Sequence, residues 1–205
     1  MPAKHSVCII VSDGEVQSAR RVLSALWSWV TDVLGNITTL SMLHCTTGAT
    51  EDYAVEGAEL PDLPLIGHQD ILFLYPEDYE KGSVHVSLEG HSFVITVARS
   101  LGPVSAHDMR QAWRLCVPHA PVALLGGEEL GVYERDVRGI RDGTLSPMDV
   151  PLCEIAAVPK ELFCTAAWGA MSAWKAMSVD DKSLTGGVLI RRRPEAGPER
   201  QCEWE

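Results

Sequence analysis

Residues 83–98 read SVHVSLEGHSFVITVA, and this stretch decides the fold. Two runs that alternate apolar and polar residues flank Glu89-Gly90, which is the pattern of a β-hairpin with a two-residue loop. That loop would place Val86 opposite Phe93. It also gathers the apolar side chains on one face of the hairpin: Val84, Val86, Leu88, Phe93, Ile95 and Val97. The hairpin therefore predicts an antiparallel sheet with one buried face.

Further strands are predicted where short runs are rich in β-branched and large apolar residues. These runs are residues 6–11, 37–43, 71–75, 121–125 and 186–190, the last being assigned to a sheet edge.

Helices are predicted from apolar residues at helical spacing over 16–34, over 105–117 and from 159 to 177. Ser12 with Glu15, and Ser105 with Asp108, have the spacing of capping boxes. The order of elements favours an α+β fold, with a mostly antiparallel sheet and helices packed on it. A ferredoxin-like core built from two βαβ-like units is the alternative.

The chain has 205 residues, of which 46% are hydrophobic and 22% charged, so it is long enough to bury a sizeable core. We expect one domain over residues 1–193, with an acidic loop at 46–69, a long polar loop at 126–151 and a polar tail at 194–205. No run approaches the roughly 18–20 apolar residues of a membrane span. The six cysteines include no CxxC pair, and no secretory signal precedes them, so a cytoplasmic location is expected.

Charge is distributed unevenly along the chain. From Val22 to Glu80 there is no lysine or arginine, although ten carboxylates occur there and the formal net charge of the whole chain is -11. A field of one sign repels phosphates and anionic lipids and attracts basic surfaces. The sequence therefore argues against nucleic-acid and membrane partners and favours a basic protein partner.

No catalytic, cofactor or metal residue is assigned from the sequence. Gly126-Gly127 is not followed by the GK[ST] of a phosphate loop, and two glutamates come after it. His85 and His91 are predicted to project to opposite sides of the hairpin, which argues against a shared zinc site. An enzyme remains an alternative, with a site near Asp13, His44, Cys45, His107 and the 126–151 loop.

A partner surface is the preferred functional interpretation. It is predicted to contain carboxylates of the acidic loop and two tryptophans expected to be partly exposed: Glu51, Asp52, Glu56, Glu59, Asp62, Trp29 and Trp168. A structural subunit of a larger assembly is a third possibility, which a large exposed apolar patch would indicate.

The layout of the elements resembles the immunity proteins of bacterial polymorphic-toxin and type VI secretion systems. The likeness rests on the N-terminal strand and tryptophan-containing helix, the 83–98 hairpin, the helix around Gln111-Ala112-Trp113, and the closing Leu184-Thr185-Gly186-Gly187-Val188-Leu189-Ile190. The resemblance implies a non-catalytic cytoplasmic antitoxin of a bacterium, which blocks a toxin by binding it. It carries over no site residue.

Overall fold

Ten strands form one continuous sheet in a computed structural model that describes residues 4–11, 13–55, 59–100, 102–119, 121–165, 177–180 and 184–192. The strands are β1 His5–Ile10, β2 Ile37–His44, β3 Ala49–Ala54, β4 Asp70–Pro76, β5 Gly82–Glu89, β6 Ser92–Arg99, β7 Ala123–Glu128, β8 Ile155–Pro159, β9 Met177–Asp180 and β10 Gly187–Arg192. The helices are α1 Val16–Leu34, α2 Ala106–Cys116, α3 Glu134–Arg141 and α4 Lys160–Thr165. The predicted α+β class is confirmed, because every strand pair in the sheet is antiparallel.

The strand order is β3-β2-β4-β5-β6-β1-β7-β8-β10-β9, so the first strand of the chain lies in the middle of the sheet. Three strands separate β1 from β2, although the two are joined by α1. A ferredoxin-like core would place one strand between them, and the sheet therefore differs from that alternative.

The 83–98 hairpin is present, but its register differs from the prediction. Glu89 pairs with Ser92 and Val86 with Ile95, so the loop is Gly90-His91. Gly90 adopts a φ of 65°, which suits glycine at the first position of a type II′ loop. The predicted apolar face is retained and lies in the main core, since a shift of two residues on one strand preserves the alternation.

Two hydrophobic cores lie on opposite faces of the sheet. The larger core packs α1 and α2 against one face across most of its width. The smaller core lies on the other face, where α3 and the turn at Pro147–Asp149 contribute side chains over β1, β7, β8 and β10. The second face is therefore covered over only part of the sheet by the residues that the structure describes.

The predicted capping box at the start of α2 is confirmed. The Ser105 hydroxyl accepts a hydrogen bond from the Asp108 amide, and the Asp108 carboxylate accepts one from the Ser105 amide. Arg99 at the end of β6 also donates to Asp108, at 2.7 Å. Burial alone would raise the pKa of the Asp108 carboxyl, but the hydrogen bonds from Arg99 and Ser105 outweigh it and lower the pKa. This ion pair fastens α2 to the sheet.

Several predicted boundaries are wrong. The acidic loop at 46–69 contains β3, and the long loop at 126–151 contains α3 and the turn at Pro147–Asp149. The last strand, β10, lies between β8 and β9 rather than at an edge.

The predicted helix ends are corrected in two places. Glu15 is the N-cap of α1 and not its third residue, so the predicted Ser12–Glu15 box is not the cap; Ser12 itself lies outside the described residues. Instead, Asp13 accepts hydrogen bonds from the Glu15 amide and the Ser18 hydroxyl. The helix predicted from 159 to 177 corresponds to α4 up to Thr165, and residues 166–176 lie outside the described part.

Candidate protein-binding surface

The described residues leave the sheet face opposite α1 open over β2, β4 and β5, except where Tyr133 and Glu134 line a cleft together with Ile71 and Ser87. We call this surface the open face. Its side chains alternate with core positions on the same strands, and none of them belongs to either core. The open face consists of Thr39, Ser41, Leu43, Ile71, Phe73, Tyr75, His85 and Ser87, all of them partly exposed.

A row of aromatic rings crosses the open face. Phe73 and Tyr75 are two residues apart on β4, and their rings lie parallel with centroids 5.8 Å apart. Tyr79, in the turn after β4, continues the row with its ring centroid 5.2 Å from that of Tyr75. Tyr79 as a residue is more than half exposed. Rings in such rows give a partner large contact areas at a low cost in side-chain entropy.

His85 lies beside this row on β5. Its imidazole meets the Phe73 ring edge-on at 4.7 Å, and its Nε2 lies 2.7 Å from the Ser83 hydroxyl. Burial, and to a lesser degree the charge of Lys4, lowers the pKa of His85 to about 4. The imidazole is therefore neutral at physiological pH and adds no charge to the open face.

Carboxylates border the open face more densely than cations do. Asp52 on β3 lies close enough to Tyr75 for its charge to contribute, after burial and Tyr79, to the raised pKa of the Tyr75 phenol. Glu77, Asp78 and Glu80 are exposed beside Tyr79. Lys4, whose charge acts on His85, and Lys81, which follows Glu80, are set against these four carboxylates, so the border is acidic on balance.

Strand β3 forms one edge of the sheet, and all six of its residues are exposed. On the helix side of β3, the Tyr53 hydroxyl donates to a Glu51 oxygen at 2.5 Å, and the other Glu51 oxygen lies 3.7 Å from His44 Nε2. His44 Nδ1 in turn contacts Asp70 at 2.9 Å. The hydrogen bond from His44 is the main cause of the lowered pKa of Asp70. These contacts hold Glu51 in place, whereas Asp52 on the other side of β3 has no ion-pair partner among the described residues.

The predicted partner residues fall into three groups. Glu51, Asp52 and Glu59 are exposed, in agreement with a surface role. Asp62 is exposed but already forms an ion pair with Arg20 of α1, at 2.5 Å. Glu56 and Trp168 lie outside the described residues.

The expectation of a partly exposed Trp29 is wrong. Its side chain is 4% exposed and packs in the main core, whereas Trp27 of the same helix is only partly buried. Both tryptophans lie on apolar stripes of α1, and periodicity alone does not tell which stripe meets the sheet. The aromatic residues found on this surface are instead Phe73, Tyr75 and Tyr79. Phe73 and Tyr75 were not predicted to be at the surface because residues 71–75 form one apolar run, which is typical of a strand buried on both faces.

The structure brings together only some of the residues that were considered for an enzyme site. Cys45 lines an open cleft of about 470 Å³ with Asp70 and with Tyr133 and Glu134 from the 126–151 segment. Within the described residues, no imidazole forms a hydrogen bond with the Cys45 thiol, which a nucleophile–base pair would need. Cys45 directly follows β2, and His107 comes after β6. Because these two strands finish at opposite ends of the sheet, the two residues lie at opposite ends as well. The Asp13 carboxylate accepts a hydrogen bond from the Glu15 amide at the start of α1.

The described part of the chain contains neither a candidate metal site nor a candidate membrane-spanning helix. No group of three or more histidine, cysteine, aspartate or glutamate side chains there could hold a metal ion. No helix within the same residues has the length and apolar character needed to cross a membrane.

Comparison with known proteins finds no match for this chain among protein-family models, curated proteins or solved structures.

Proposed function

We propose that this protein binds and inhibits a basic protein partner through the open face and the acidic strand β3. Its most concrete form is an immunity protein that neutralises a toxin in the bacterial cytoplasm. The resemblance in the layout of elements suggested this role, and the chemistry of the surface supports it.

The observation that carries the proposal is the apolar character of β4 on both of its faces. Leu72 and Leu74 pack in the main core, while Ile71, Phe73 and Tyr75 point to the open face. Strands that are apolar on both faces are typical of sheets in which other elements pack against both faces. The described residues provide cover on one side, so a partner that buries the other side would complete the pattern.

The border of the open face favours a basic partner. Asp52 acts on Tyr75 through its charge, and Glu77, Asp78 and Glu80 are exposed in the turn that carries Tyr79, against Lys81 in that turn and Lys4 near His85. Opposite charges mainly raise the rate of encounter and suppress wrong partners, whereas buried aromatic side chains contribute most of the affinity. We therefore expect association to slow as the salt concentration rises, while dissociation changes little.

The proposal is tested by capture of partners from the native lysate at low and moderate salt, followed by purification of the retained protein. Binding of that partner is then measured for Glu51→Lys/Asp52→Lys and for the matched control Glu128→Lys/Glu154→Lys. Both double variants change the net charge equally, but five strands separate β7, which ends at Glu128, from β3. We expect the β3 variant to slow association by at least about tenfold and the control to have little effect. Equal effects would mean that the acidic strand serves general solubility, and the proposal would fail.

The immunity role needs a separate test. The purified partner is expressed in a bacterial host with and without this protein, and growth is followed. Growth arrest by the partner alone, with rescue by the wild type and not by Tyr75→Ala/Phe73→Ala, is the expected result. A partner that does not harm growth would exclude toxin neutralisation and leave a role in a larger assembly.

A further inference from the structure

We infer that the outer edge of β3 takes up an extended basic segment of the partner as an additional strand of the sheet. This inference rests on the proposed function and specifies how part of the partner is held. The open face can bind a partner without it, so the two can be tested separately.

The direction of the backbone groups on β3 follows from one hydrogen bond. The Val55 amide donates to the Thr38 carbonyl of the neighbouring strand at 2.9 Å. Backbone groups alternate in direction along a strand, so the amides and carbonyls of residues 49, 51 and 53 also point to β2. Those of Thr50, Asp52 and Ala54 point outward. Among the described residues no backbone group pairs with them, which leaves a template for one more strand.

A second copy of this chain is a poor occupant of that edge. Because the outward-pointing residues must meet each other, antiparallel self-pairing has two registers that align five of the six β3 residues. One register places Asp52 opposite Asp52 of the other copy, and the other places Glu51 opposite Glu51. Like charges directly opposite each other destabilise a strand pair. The edge therefore discourages self-association and accepts a strand of opposite charge.

The side chains of β3 indicate what that strand carries. Glu51 projects to the helix side of the sheet, and Asp52 projects to the open-face side. A partner strand with two adjacent basic residues would present one to each carboxylate. On the helix side, Glu51 is already oriented by the Tyr53 hydroxyl, so little ordering is needed there.

The probe is a capped hexapeptide, Thr-Val-Lys-Arg-Val-Thr, with Thr-Val-Glu-Glu-Val-Thr as its control. Binding to the full-length protein is followed by amide hydrogen exchange and by chemical-shift changes. We expect the basic peptide to protect the amides of Thr50, Asp52 and Ala54, while the amides of residues 51 and 53 are protected with or without peptide. The acidic peptide should protect none of the three. Absence of binding by the basic peptide up to about 1 mM would overturn the inference.

The variant Thr50→Pro separates backbone pairing from charge. It removes one outward-pointing amide, leaves the pairing with β2 intact and does not alter the charge, and proline is tolerated on edge strands in this orientation. We expect peptide binding to weaken by about tenfold, whereas the control Thr50→Ala binds as the wild type does. If the amides of residues 51 and 53 lose their protection from hydrogen exchange in Thr50→Pro, the substitution has disrupted β3. The inference is then tested by hydrogen exchange of the wild-type protein with the basic peptide.

The outcomes distinguish the inference from the proposed function. A purified partner that binds the open face without protecting Thr50, Asp52 and Ala54 would overturn the added strand and leave the proposed function standing. Protection of these three amides by the partner supports both. A peptide that binds without protecting the amides of Thr50, Asp52 and Ala54 from hydrogen exchange would show that it binds by charge alone. That result would contradict the inference.

Discussion

The two halves of the sheet share one helical layer but differ on the other face. In the half built from β1, β7, β8 and β10, both faces are covered, and Ile9 and Ile10 on adjacent positions of β1 are each fully buried in different cores. In the half built from β2, β4 and β5, the described residues cover one face. On the open face, strands β2 and β5 carry threonine, serine and histidine together with one apolar residue, Leu43, whereas all three open-face residues of β4 are apolar or aromatic: Ile71, Phe73 and Tyr75. An apolar strand sequence therefore does not by itself show whether one face or both faces of the strand are covered.

The largest expected effect is a difference in stability loss when isoleucine is replaced by alanine in each half of the sheet. Ile10→Ala empties a fully buried position and should lower the free energy of unfolding by about 2–5 kcal/mol. Ile71→Ala on the open face should lower it by about 1 kcal/mol or less, since the side chain is already partly exposed. Urea denaturation of both variants measures the contrast. Equal losses would mean that the open face is covered in solution.

The next largest effect is expected in the pH dependence of the free energy of unfolding, to which His85 in the open half contributes. Its pKa is lowered to about 4, so between pH 6.5 and 4 the unfolded chain binds a proton that the folded chain does not. The stability contributed by the neutral imidazole is complete above pH 6.5 and is lost as the pH falls to 4, by at most about 3 kcal/mol. His85→Gln should have a flatter stability profile over this range. Lys4→Ala should retain most of the slope, because burial is the larger cause.

A loss of slope in Lys4→Ala as complete as in His85→Gln would contradict burial as the main cause. Identical slopes for the wild type and His85→Gln would contradict the burial of the imidazole beside Phe73.

A smaller effect on stability is expected when the aromatic row is shortened. Tyr75→Ala should lower the free energy of unfolding by about 1 kcal/mol, because the ring is partly exposed and packs mainly against other rings of the open face. The same variant should weaken binding of the purified partner by at least about tenfold. Leu152→Ala, at an exposed apolar residue of the covered half, serves as the control. A Tyr75→Ala variant that binds as well as the Leu152→Ala variant would remove the open face from the interface.

The smallest effect on stability is expected from charge reversal at β3. Glu51→Lys/Asp52→Lys replaces exposed charges at an edge strand and should change the free energy of unfolding by about 0.5 kcal/mol or less. Urea denaturation provides the measurement. A larger loss would show that the contacts from Glu51 to Tyr53 and His44 stabilise the edge, and the binding results for this variant would then need the neutral pair Glu51→Gln/Asp52→Asn.

The features that follow from local rules were predictable from the sequence. The hairpin faces follow from strict alternation, and the Ser105–Asp108 box follows from a spacing of three residues. The same spacing at Ser12 and Glu15 did not give the cap of α1, because that helix begins after Glu15. The turn register was missed because both Glu89-Gly90 and Gly90-His91 are acceptable two-residue loops, and the pairing of the long strands selects between them.

Features that depend on distant partners were not predictable. Glu51 and Asp52 have weak strand preference, and β3 forms because a tight turn with Gly48 at a φ of 70° returns the chain along β2. In the same way, α3 has only Val137 and Ile140 as buried apolar residues, too few for a periodic signal. The open face depends on which elements reach each side of the sheet, a property of the assembled fold that no single stretch of sequence encodes.

The central position of β1 also determines the order in which the chain can fold. This strand ends at Ile10, but its neighbours β6 and β7 end at Arg99 and Glu128. At a synthesis rate of about 5–20 residues per second, β1 leaves the ribosome roughly 6–24 s before its last neighbour is complete. During that interval the apolar residues from Val7 to Val11 have no strand to pair with. A nascent chain of this protein is therefore expected to keep its first strand unpaired, and prone to aggregation, until the middle of the sheet has been made.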